Sequence, residues 1–170
     1  MSQLGGQVAT SYFDSSALVK RYARELGGEW VRSLLEPSAG NSIYIAQIGA
    51  VEVAAGLSRK VRTKELEQKE YEAALELFMQ DIKDEEYNLL PVDGAITNLA
   101  IELTRRHTLR GYDAVHLASA IRLNQVLAEN KLSSATFVSA DQLLCGAAAK
   151  EGLSTENPDE HESSEPAGRG

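Results

Sequence analysis

The stretch SYFDSSALVKRY, residues 11–22, changes character at Asp14. Upstream, Val8 to Phe13 form a short apolar run that reads as a buried strand. Downstream, Ala17, Leu18 and Val19 open a helical pattern that runs to about Glu25 and breaks at Gly27 and Gly28. An acid between a strand and a helix has two readings. Its carboxylate can cap the helix by accepting a backbone N–H. It can also face a ligand, because open α/β sheets bind ligands beyond the carboxyl ends of their strands. Residues 11–22 alone support both.

The same alternation repeats along the chain. SIYI (42–45), YNLLPV (87–92) and ATFVS (135–139) read as strands, and a short fifth is expected at Leu153. Between them lie helical patterns: EWVRSLLE; a long helix from Ala46 with Ile48, Val51, Ala55 and Leu57 as its apolar face; and a charged helix from about Thr63 to Ile82. Two further helices start at Asp93 and Gly111, and DQLLCGAAAK is the last. Short apolar strands alternating with helices predict an α/β fold, with a central parallel sheet between two helical layers. Neither GxGxxG nor GxxxxGK[ST] occurs, which argues against a dinucleotide or nucleoside triphosphate site.

With 170 residues, 43% of them hydrophobic, one well-buried domain is expected. We place it at residues 8–154, after a flexible N-terminus at 1–7 and before a disordered acidic tail at 155–170. The tail holds five of the 25 acids against one base, leaving a body of 20 acids and 16 bases, so the formal charge of -8 says little about the partner. Cys145 is the only cysteine, which excludes an intramolecular disulfide. No stretch approaches the ~18 consecutive apolar residues of a membrane span, and MSQLGGQVAT has neither the basic nor the apolar region of a signal peptide. A soluble, cytoplasmic protein with no membrane partner is expected.

Acids recur where ligands bind. Asp14 follows the first strand and Asp141 comes just after the fourth. Asp93, in PVDGAI, is a full match to a helix cap. Glu52 and Asp113 are different, because each lies on a largely apolar helix, where a carboxylate is costly to bury unless it is paired or bound to a cation. Asp113 has Arg110 as a local partner, whereas three and four residues either side of Glu52 stand only Ile48, Gly49, Ala55 and Gly56. Several converging carboxylates suit Mg²⁺ or Mn²⁺, and the matching chemistry is phosphodiester hydrolysis.

FDSSALVKRY, VEVAAGLSRK, RGYDAVHLASA and FVSADQLL, in this order, resemble the PIN-domain ribonucleases, most closely the VapC-type toxins of type II toxin–antitoxin pairs. The resemblance runs from about Val8 to Gly152. It implies the three-layer α/β/α PIN fold and a Mg²⁺- or Mn²⁺-dependent endoribonuclease. It makes Asp14, Glu52, Asp113 and Asp141 the catalytic, metal-holding set, with Ser139 in support; Ser15 and Ser16 are read as finishing the cap or bonding to Asp14 or a phosphate, with Ser15 as the supporting residue. Water would attack the phosphorus in line, leaving a 5′-phosphate and a 3′-hydroxyl. It also implies an RNA substrate, a homodimer and a small cognate antitoxin that covers the site. Lys20, Arg21, Arg59 and Arg110 are the candidate phosphate contacts. His116 is read as a packed helix histidine rather than a ligand, and residues 46–82 as a dimer or antitoxin surface anchored by Tyr71, Phe78 and Met79. The competing readings are a PIN nuclease of RNA processing without an antitoxin, and a PIN-like scaffold that binds without cutting.

Overall fold

The structure is a computed structural model and describes residues 8–161; the expected flexible segment 1–7 and the end of the expected tail, 162–170, lie outside them. Five strands, β1 (Thr10–Phe13), β2 (Ser42–Ala46), β3 (Asn88–Leu90), β4 (Thr136–Val138) and β5 (Thr155–Glu156), form one sheet in the order β3-β2-β1-β4-β5. Every pairing is parallel, with Tyr12 opposite Tyr44 on one side and Phe137 on the other. The helices are α1 (Ser15–Leu18), continued by a 3-10 turn at Val19–Arg21, α2 (Gly28–Leu35), α3 (Gln47–Arg62), α4 (Gln68–Lys83), α5 (Gly94–Arg106), α6 (Gly111–Glu129) and α7 (Gln142–Lys150).

Strand side chains alternate between two cores, which is what makes the fold three layers. Tyr12, Ala46 and Phe137 pack with α5, α6 and α7 on one face. Phe13, Ile43, Ile45 and Val138 pack with α1 to α4 on the other. Strand order reverses direction between β1 and β4, because the chain runs outward through β2 and β3 and then returns to the far side of β1. That switch point opens a crevice at the carboxyl ends of β1 and β4.

The buried face of α3 is Gly49, Val53 and Leu57, rotated from the expected one, and Val51 is 63% exposed. Counting apolar residues favoured Val51, whereas close packing selects the glycine. The charged helix starts later than expected, after a turn in which Lys64 has φ 59.

Residues 155–161 correct the expected disordered tail. Thr155 and Glu156 pair with Phe137 and Val138, and Pro158–Glu160 form a 3-10 turn. A parallel ladder is held by backbone bonds, so its edge needs few apolar side chains. The acids are used as well: Asp159 lies 2.8 Å from Lys20, and His161 stacks on Trp30 with ring centroids 4.1 Å apart. Gly27, at φ +76, is required twice, since a Cβ there would also meet the carbonyl oxygen of Pro158 at 2.0 Å.

Candidate active site

Asp14 stands at the switch point. Its backbone N–H donates to the Val138 carbonyl across the β1–β4 seam (3.1 Å). Its side chain caps α1 by accepting from the Ala17 N–H (3.0 Å), and Oδ1 also accepts from Ser16 Oγ (2.7 Å). Oδ2 accepts from Ser139 Oγ (2.6 Å), although 125 residues separate the two. The carboxyl group is therefore both a cap and a fixed element of the crevice. At 3% exposure it is buried.

Ser139, fully buried, accepts in turn from the Asp141 N–H (3.1 Å), while Asp141 caps α7 through the Leu144 N–H (3.1 Å). Of the two serines that follow it, Ser16 and not Ser15 supports Asp14. Its Oγ also accepts from the Ala140 N–H (3.0 Å) and so ties the two strand ends, whereas Ser15 makes no side-chain hydrogen bond among the described residues.

Asp113, in the first turn of α6, feels this group. Burial chiefly, then the charges of Asp141 and Asp14, push its carboxyl up from the ordinary value. His116 and Arg110 oppose that shift. Asp14 is also pushed up, by burial first, against His116 and the hydrogen bonds from Ser139, Ser16 and Ala17. Like charges gathered in a half-dry crevice favour the neutral acids. Cys145, on α7, is pushed up to about 11 by burial and then by Asp14 and Asp141, and its thiol donates to the Ser139 carbonyl at 3.3 Å. It stays a thiol, not a nucleophile.

Because Asp14 and Asp113 titrate above their unfolded value of 3.8, the folded chain holds more protons than the unfolded one between that value and the raised ones. Stability supplied by these two acids is thus present at low pH and lost as pH rises through that window. In metal-free buffer, the melting temperature of Asp14→Asn should gain on the wild type as pH rises from about 4 to 7. A constant difference across that range would count against the burial argument.

Glu52 has a partner after all. It comes from α6: His116 Nε2 lies 2.5 Å from Glu52 Oε1, and His116 Nδ1 lies 2.7 Å from the Tyr12 hydroxyl. Searching only three and four residues along α3 could not find a histidine 64 positions away. The one sequence signal was a polar ring on the apolar stretch of α6, three residues after Asp113.

The structure leaves only two of the four candidate phosphate contacts free. Lys20 is buried between Glu25 (3.1 Å) and Asp159 (2.8 Å), and Arg21 pairs with Asp81 (3.2 Å) on α4. Neither is free for RNA. Arg110 is exposed one turn before Asp113, and Arg59 is exposed in a groove of about 480 Å³ with Arg62 and Tyr71. Phe78, expected as a surface anchor, is core at 1% exposure.

Among the described residues, no group of three or more His, Cys, Asp or Glu is drawn tightly enough together to make a ready metal cage. The donor chemistry still fits a hard divalent cation. The charges of Asp141 and Asp14 both reach Asp113, and Asp14 Oδ2, which among the described residues accepts only from Ser139, keeps a lone pair for a ligand.

A parallel α/β sandwich with carboxylates at its switch point is the class of protein that fold and site define. The chain belongs to the PIN-domain family, whose model matches residues 11–145. It is 33% identical over 112 residues to Ribonuclease VapC45 and to Ribonuclease VapC49, each from a strain of Mycobacterium tuberculosis, a span covering 65% of this chain and 74% of each relative. Among solved structures it is similar to FitAcB from Neisseria gonorrhoeae, with a TM-score of 0.56 and 18% identity over 86% of this chain and 96% of that one. VapBC2 from Rickettsia felis, bound to a DNA fragment from their promoter, gives a TM-score of 0.56 and 17% identity over 87% and 98%. At these identities the structural likeness is one of fold. No described helix is long and apolar enough to cross a membrane.

Proposed function

We propose that this chain is an endoribonuclease acting as the toxin of a toxin–antitoxin pair. What supports the reading is that Asp14 and Asp141 stand at the carboxyl ends of the neighbouring strands β1 and β4, with Asp113 within reach of both charges, in a PIN-domain chain 33% identical to Ribonuclease VapC45. Asp14, Glu52, Asp113 and Asp141 would hold Mg²⁺ or Mn²⁺. The chemistry such a cation supplies is neutralisation of charge on the scissile phosphate.

The chain's own residues do the rest. Ser16 and Ser139 fix both Asp14 oxygens in one rotamer, so the carboxylate is ordered before any ligand arrives. Ser139 also fixes the backbone of Asp141, which keeps the two strand-end acids in register. Arg110, exposed beside Asp113, offers a cation to the RNA backbone.

The antitoxin would lie over α3 and α4, where Val51, Leu77 and Met79 are exposed, and a second copy would meet the α5–α6 face at Ile101 and Tyr112. The VapBC2 complex, a solved protein of the same fold, supports a partner of that kind.

The test is cleavage of structured RNAs in Mg²⁺ or Mn²⁺, with and without EDTA, by the wild type and by Asp113→Asn. Chelation should abolish cleavage, and Asp113→Asn should slow it by about 100-fold. Products should carry 5′-phosphate and 3′-hydroxyl ends. Equal cleavage by the variant, or cleavage that survives EDTA, would overturn the mechanism, and binding without cutting would favour a scaffold.

A further inference from the structure

Three elements of the fold are joined by one hydrogen-bonded chain: Tyr12 on β1, His116 on α6 and Glu52 on α3. The imidazole is 2% exposed and lies edge-on to Tyr12, at 67° and 6.0 Å between centroids. Tyr12 is fully buried and stacks on Phe137 at 5.7 Å, so the phenol has little freedom. Room for the ring comes from Gly49, one turn before Glu52, where a Cβ would lie 3.2 Å from His116 Cε1. A side chain this closely accommodated on three sides has one orientation.

The direction of the chain follows from donor chemistry. An ionised carboxylate only accepts, so His116 Nε2 carries the hydrogen that meets Glu52 Oε1. On the other side of the ring, Nδ1 meets the Tyr12 hydroxyl at 2.7 Å, so both ring nitrogens are held. The Nε2 contact orients Oε1, whereas Oε2 makes no hydrogen bond among the described residues.

We infer that His116 and Tyr12 are positioning residues, which hold the Glu52 carboxylate in one orientation and leave its Oε2 available to a divalent cation. The inference rests on the ribonuclease reading above and extends it to two residues beyond the acidic set. It differs from simple core packing, because the hydrogen at Nε2 matters rather than the volume of the ring.

The experiment measures Mn²⁺ affinity in the absence of RNA, by the electron paramagnetic resonance of free Mn²⁺, together with melting temperature and RNA cleavage. Tyr12→Phe keeps the packing and removes the hydroxyl that holds Nδ1 of His116. It should weaken Mn²⁺ binding about 10-fold, and His116→Leu, with no donor at all, by about 10–100-fold. His116→Gln restores an N–H near the place of Nε2 and should recover most of the affinity, and Tyr12→Phe added to it should change nothing more. The melting temperature of Tyr12→Phe should stay within a few degrees of wild type, so that the loss of affinity is not a loss of fold.

Wild-type Mn²⁺ binding and cleavage by Tyr12→Phe, or failure of His116→Gln to exceed His116→Leu, would overturn the positioning role alone. A wild-type protein that binds no Mn²⁺ and cuts no RNA would remove the ribonuclease reading, and this inference with it.

Discussion

Asp14→Asn should lower kcat/KM for RNA cleavage by about 100-fold or more, the upper end of what changes around a metal ligand produce. The variant keeps the acceptor that caps α1, since an amide oxygen can still take the Ala17 N–H and the Ser16 hydroxyl. It loses the charge, and it puts an NH₂ group where Ser139 Oγ now donates at 2.6 Å. Two donors then face each other at the seam between β1 and β4, and Ser139 must turn away or accept. The folded state should survive, because burial already penalises the ionised form of this acid. Circular dichroism and cleavage on one preparation check both halves: a native spectrum with cleavage gone is expected, and a native spectrum with cleavage retained would remove Asp14 from the site.

Lys20→Met should have the largest effect on stability. Lys20 is 4% exposed, with Glu25 at 3.1 Å and Asp159 at 2.8 Å. Asp159 Oδ1 makes no hydrogen bond among the described residues, so its ion pair with Lys20 is its compensation. Removing one member of a fully buried pair costs about 3–5 kcal/mol. Glu25 and Asp159 keep partial access to water, which lowers the expected loss to about 2 kcal/mol, or a melting-point drop of roughly 4–8 °C for a domain of this size. Methionine preserves the volume, so the loss reports charge rather than packing. The salt dependence of RNA binding should be unchanged, whereas loss of a phosphate contact would reduce its slope by about one.

Most of the architecture was legible because β1, β2 and β4 have side chains buried on both faces, and such strands read as short apolar runs between helices. What stayed hidden depended on partners distant in sequence. Lys20 looked free because its partner Asp159 lay in a segment set aside as disordered. Glu52 looked unpartnered because His116 comes from another helix. The acids themselves could be singled out: Asp14 and Asp141 close strands, and Asp113 and Glu52 interrupt apolar helices, where a carboxylate needs a reason to be there. Two serines follow Asp14 in the sequence, and only the turn into α1 decides that Ser16 and not Ser15 faces Ala140.

The seam between β1 and β4 has a consequence for synthesis. β1 precedes the other described strands and is the central one in the sheet, yet Asp14 waits for Ser139, and β4 waits for Thr155. A partly translated chain therefore holds Asp14 and Glu52 without the residues that order the one or join the other. Contacts this distant form late in folding. A nuclease of this design cannot order its strand-end acids until the segment that carries Ser139 and Asp141 has been made.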